Sequence, residues 1–140
     1  MRGAHLIKHW STTQTTVALS SAEAELTGIV KGAAQSMGLR SLATDLGLSF
    51  QIEVKTDAAA AIGICRRRGL GKVRHLHTAD LWIQDKVRTK DIILSKVLGA
   101  ANPADILTKH VIVNYWKKRL RTLGLREEQG RPDLAPSLDT

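Results

Sequence analysis

Apolar residues recur along this chain at two periods, and the alternation between those periods lays out its elements. Leu26, Ile29, Val30, Ala33 and Met37 follow one another at three- and four-residue intervals, the period of an amphipathic helix. The pattern resumes at Leu39, Leu42 and Leu46 and stops at Gly47. Gly28, Gly32 and Gly38 interrupt it, each weakening a helix by up to about 1 kcal/mol relative to alanine, so one of them could mark a close packing or a break. Residues 50–56 alternate with β-branched side chains and predict a strand. A short alanine-rich helix over 58–64 comes next, then a helix over 75–88 carrying Leu81, Trp82, Ile83 and Val87. Residues 92–98 predict a second strand after the turn Thr89-Lys90-Asp91. Asn102-Pro103 has the form of a helix start, a capping residue followed by proline at the first helical position. Val113, Trp116, Leu120 and Leu123 then stripe a last, basic helix. At the other end, residues 5–10 predict a short strand of imperfect alternation, and 11–16 a polar loop or strand end.

Strand, helix, strand, helix, strand, helix is the order of an α/β layered protein. Its 140 residues suffice for one domain with a real core, expected over residues 1–125. Residues 126–140 hold two prolines, several charges and few large apolar side chains, and predict a disordered tail. With aromatics at 4% the core must be aliphatic, and Trp82 and Trp116, on apolar stripes, are read as part of it. The single cysteine, Cys65, excludes an internal disulfide, fits a reducing compartment and reads as a small buried side chain. No run reaches the roughly 20 apolar residues of a membrane span. The expectation is a soluble, intracellular chain, cytoplasmic or nuclear.

Charge sharpens this picture. The net charge is +8, a balance that favours polyanions through counterion release. It concentrates in a glycine-hinged loop, Arg66-Arg67-Arg68-Gly69-Leu70-Gly71-Lys72-Val73-Arg74, and in a second patch, Lys117-Lys118-Arg119-Leu120-Arg121. The loop suits contact with a nucleic-acid backbone or simple solvation.

Three acids stand where regular elements begin or end. In Leu19-Ser20-Ser21-Ala22-Glu23-Ala24-Glu25-Leu26, Ser20 and Glu23 fit a capping box, with Glu23 reaching back to the Ser20 amide. That leaves Glu25, three residues after Ala22 and four before Ile29, on the expected buried stripe. A carboxylate there costs stability unless a cation or donor meets it. Asp57 closes the strand ending in Lys55-Thr56 and suits either an N-cap or a ligand. Asp105, in Asn102-Pro103-Ala104-Asp105-Ile106-Leu107-Thr108-Lys109, suits either a first-turn acid favoured by the helix dipole or a ligand. In α/β sheets chemistry gathers beyond strand ends. Asp80 and Asp85 fall on a helix remote from that end. His75-Leu76-His77 lacks partner ligands at metal-binding spacing.

From about Trp10 to about His110 these segments resemble the ribonuclease H domain of copia-type retrotransposon polyproteins. The resemblance rests on the helix-start motif ending in Glu25, on Thr56-Asp57, and on Ala104-Asp105-Ile106-Leu107-Thr108-Lys109. It implies a ribonuclease H-like three-layer α/β fold, incomplete here by its first strand or first two strands. It further implies hydrolysis of RNA in RNA–DNA hybrids, with Glu25, Asp57 and Asp105 as catalytic residues and ligands of two Mg²⁺ ions, Mn²⁺ being an alternative. Two such ions, when bound, activate water and stabilise the leaving oxygen. The reverse transcriptase segment of the same polyprotein is the implied partner, and Arg66, Arg67, Arg68, Lys72, Arg74 and His75 are the implied nucleic-acid contacts. The sequence departs from the family twice. No acid precedes Glu23, where the family carries its first catalytic Asp on an upstream strand, and His77 stands where the family usually has an acid. Weak or absent cleavage is therefore expected. The alternatives are a non-catalytic basic nucleic-acid-binding remnant and a degenerate element fragment.

Overall fold

The computed structural model describes residues 6–14, 17–69, 78–107 and 113–125. They fall into two compact units, one of residues 13–102 and one of residues 1–12 with 103–140.

The larger unit begins with α1 (Ser21–Asp45). Ser20 is its N-cap, its hydroxyl accepting from the Glu23 amide at 3.2 Å. Glu23 reaches back as expected, but one residue further than a capping box requires, accepting from the Leu19 amide at 2.8 Å. The helix runs unbroken through Gly28, Gly32 and Gly38, and a methyl group added at any of them would meet nothing within 4 Å. None of the three is therefore a close packing point. The helix ends at Gly47, whose φ of +73° only glycine adopts freely. The Gly47 and Leu48 amides donate to the carbonyls of Thr44 and Ala43, closing the last turn in a Schellman motif.

Two strands follow, β1 (Ile52–Thr56) and β2 (Ile92–Lys96), paired in parallel with Ile52 opposite Ile92 and Thr56 opposite Lys96. A parallel pair needs a crossover, here α2 (Ala59–Arg66) and α3 (Thr78–Arg88). Strand alternation sends Ile52, Thr56, Ile92 and Leu94 to a buried face, while Glu53, Lys55 and Ile93 are exposed. Against the buried face pack Leu26, Ile29 and Ala33 of α1, Ala61, Ile64 and Cys65 of α2, and Ile83 of α3. Trp82 packs at the edge of this aliphatic core.

Two readings of the sequence need correction first. Leu42 and Leu46 extend the α1 stripe in sequence but are exposed. A 25-residue helix is about 37 Å long and a five-residue strand about 17 Å, so the last turns of α1 outrun the sheet. Residues 6–10 form no strand. Their apolar residues are adjacent rather than alternating, and no partner ladder exists for them among the described residues. The two-stranded parallel sheet makes the chain mixed α/β, and the finer ribonuclease H-like arrangement belongs to the proposal below.

In the smaller unit, Pro103 opens a 3₁₀ helix (Pro103–Leu107) where an α-helix start was expected, and α4 (Val113–Thr122) packs with it. Leu123 is buried, but Trp116 is exposed and so is not the core residue that its stripe suggests. Arg119 is buried, which divides the expected second basic patch. The expected tail, residues 126–140, lies outside the described residues.

Candidate functional site

Asp57 stands where β1 ends. The strand's last residue, Thr56, is buried; its carbonyl accepts from the Val97 amide at 3.0 Å and its hydroxyl from the Ala58 amide at 3.2 Å. The Thr56 side chain thus satisfies the turn, and the N-cap of α2 is Ala58, without a side-chain cap. Asp57 is not spent as a cap. Its carboxylate lies against the short 3₁₀ turn Gly99–Ala101, with Oδ2 only 3.2 Å from where a Cβ on Gly99 would stand. Glycine at 99 leaves that carboxylate its place.

Glu25 lies in the second turn of α1 and is exposed, which corrects the expectation that it shares the buried stripe. At 100° per residue, Ala22, Leu26, Ile29 and Ala33 define the inward face, and Glu25 falls roughly 70° from its centre, on the shoulder. The polarity of α1 is nevertheless informative. Arg40, in its second half, donates to the Asp91 carbonyl at 3.1 Å, just before β2 begins. The first turns of α1 therefore run back toward the strand ends where Asp57 sits.

Asp105 is half-buried in the first turn of the 3₁₀ helix Pro103–Leu107 and belongs to the smaller unit. Among the described residues, no group of three or more His, Cys, Asp or Glu side chains is disposed to hold a metal ion. As donors, carboxylates suit Mg²⁺, which takes oxygen ligands and retains waters.

The basic residues are more definite. Arg66, Arg67 and Arg68 end α2 and turn with Gly69 over α3, where they meet Arg88 around an open depression of about 580 Å³. Arg66 also donates to the Leu94 carbonyl at 3.0 Å, and Arg88 pairs with Asp85. Lys72, Arg74, His75 and His77 lie outside the described residues. Sequence reasoning missed Gln84, the buried residue beneath this turn. Its signal was available, since Asp80, Ile83, Gln84 and Val87 follow at helical spacing and Gln84 is the uncharged polar member of that inward stripe.

Two other titratable groups are structural. Burial, with Asp80 nearby, pushes the Cys65 thiol up to about 11, so it stays protonated and unreactive at neutral pH. Asp91 precedes β2 and is held below the usual carboxylate range, first by a hydrogen bond from Lys86 at 3.1 Å, then by Thr89 and by Arg40 at 3.6 Å.

No described helix is long and apolar enough to cross a membrane. No protein-family model matches this chain, and no solved structure matches it.

Proposed function

We propose that this chain is a ribonuclease H-like domain of the copia type that binds RNA–DNA hybrids, with Glu25, Asp57 and Asp105 as its acidic residues. The observation that carries this reading is the position of Asp57. It is an uncapped carboxylate beyond the C-terminal end of a parallel strand, held open by glycine at 99, at the end toward which Glu25 also runs. Ligands of α/β sheets bind at such ends. When bound, Mg²⁺ would supply the electrostatic stabilisation of phosphoryl transfer. On this reading Glu25 and Asp57 of the larger unit and Asp105 of the smaller are each candidate ligands for it, Arg66, Arg67 and Arg68 would meet the backbone, and the reverse transcriptase segment of the same polyprotein is the partner implied.

A second reading, a nucleic-acid-binding domain without catalysis, is favoured by one contrast. Four arginines share a depression, while no three acids among the described residues form a metal-binding group. Mn²⁺ titration followed by NMR separates the two. Paramagnetic broadening of the Ala58 and Gly99 amides, removed by Asp57→Asn, supports the metal site. No broadening there, with hybrid binding intact, leaves the second reading. Failure to bind a hybrid even at low salt would overturn both.

A further inference from the structure

Gln84 is 7% exposed and spends its amide on the turn above it. Nε2 donates to the Ile64 carbonyl at 3.0 Å and to the Gly69 carbonyl at 3.1 Å, while Oε1 accepts from the Gly69 amide at 3.0 Å. A single side chain therefore grips both backbone groups of Gly69, whose φ of +70° reverses the chain. The consequence is local. Arg67 and Arg68 leave the axis of α2 and turn back over α3, where with Arg66, the last residue of α2, they line one depression with Arg88. Leu81, Asp85 and Arg88 recur at helical spacing on one face of α3 and form the opposite wall. Four arginines and one carboxylate, Asp85, line this depression.

Like charges gathered this closely repel one another and attract polyanions. Guanidinium groups match phosphate oxygens with paired donors. The volume, about 580 Å³, lies within the roughly 300–1,000 Å³ of sites that take small ligands, and it exceeds what a bare ion would fill. Leu81 and Val87 add an apolar surface for sugar carbons. We propose that this depression seats the backbone phosphates of a nucleic-acid strand, and that Gln84 is its positioning residue, holding Gly69 so that the three consecutive arginines converge with Arg88. The proposal rests on the nucleic-acid reading above and deepens it, adding two residues, Gln84 and Arg88, that the basic run alone does not indicate. Asp85 keeps Arg88 oriented until phosphate oxygens compete for it.

The test is fluorescence anisotropy of a labelled RNA–DNA hybrid with the full 140-residue chain, between about 50 and 200 mM salt. Arg68→Ala and Arg88→Ala should each weaken binding roughly tenfold at low salt, the loss expected of a charge-assisted hydrogen bond. Each should lower the salt slope by about one. Gln84→Met keeps the formal charge and much of the volume, yet should also lower the slope, because the guanidiniums no longer converge. Circular dichroism reports whether that variant folds, and the exposed Arg68 keeps the proposal testable if it does not. Lys55→Ala, an exposed cation on the outward sheet face, should change little. Wild-type binding that Arg68→Ala and Arg88→Ala leave untouched overturns this site alone. A loss just as large in Lys55→Ala does the same, by showing attraction to overall charge. NMR perturbation of the Gly69 amide by inorganic phosphate, without any effect of these variants on hybrid binding, overturns the strand in favour of a small anion. No wild-type binding at low salt overturns both this site and the reading on which it rests.

Discussion

Asp57 and Asp91 stand at opposite ends of the same two-stranded sheet, and they are treated differently. Asp91 enters β2 tied to Lys86 of α3, Arg40 of α1 and Thr89 of the preceding turn, so one carboxylate fastens two helices to the start of a strand. Asp57 leaves β1 with no ion pair among the described residues, its carboxylate against Gly99, where a side chain would crowd it. An acid whose oxygens are satisfied by its own protein is a structural acid. One placed at a strand's C-terminal end with no ion pair among the described residues is a candidate for chemistry. The same residue type thus stands in opposite surroundings according to which partners the fold delivers to it.

The sharpest way to break this comparison is to neutralise each acid in turn. Asp57→Asn should leave thermal unfolding within about 0.5 kcal/mol of the parent, the range of substitutions away from structural networks. It should remove Mn²⁺ binding at this end of the sheet and at least tenfold of any residual RNA cleavage, each tenfold corresponding to about 1.36 kcal/mol. Asp91→Asn should do the reverse, lowering the unfolding temperature while hybrid binding by the folded fraction persists. If Asp57→Asn proved the more destabilising of the two, the assignment of roles would be wrong.

A smaller effect appears in acid. The carboxyl of Asp91 is depressed in the folded chain, so the folded state binds its proton less readily than the unfolded one. Its contribution is complete above the ordinary Asp value of about 3.9 and is lost as pH falls through the lower folded value. Denaturant unfolding of the parent should therefore weaken as pH drops through this range, and Asp91→Asn should flatten that limb.

The smallest effect tests the space beside Asp57. Gly99→Ala places a methyl carbon 3.2 Å from Oδ2 and should displace the carboxylate by a few tenths of an ångström. Mn²⁺ affinity, read from amide broadening, should fall by a few-fold, with unfolding unchanged within about 0.5 kcal/mol. An unaltered Mn²⁺ titration would show that the glycine serves the turn and not the acid.

Much of the larger unit could be read along the chain because its signals are local. Helical spacing of Leu26, Ile29 and Ala33 gave the inward face of α1. Ser20 marked its start and Gly47 its end, since a cap and a left-handed turn need only neighbouring backbone. The strand over 52–56 followed from its alternation, and Pro103 opened a helical turn of the tighter kind. The positions of Glu25, Asp57 and Asp105 at element boundaries were equally legible. Three things were not. Periodicity states which residues share a face but not where the opposing layer stops, so Leu42 and Leu46 continue a stripe that the short strands cannot cover. It does not separate the centre of a face from its shoulder, which is why Glu25 was expected inside and lies outside. And it is blind to a polar residue whose partners lie 15 and 20 residues away: the grip of Gln84 on Gly69 and Ile64 exists only once α3 packs under the end of α2. Sequence by itself determined the elements, their caps and the chemistry available at their ends, because those depend on contacts within a turn or two. The tertiary structure alone decided that Asp91 is tied into ion pairs, and gathered four arginines around one depression, because charge partners and convergent donors are set by packing between elements distant in the chain.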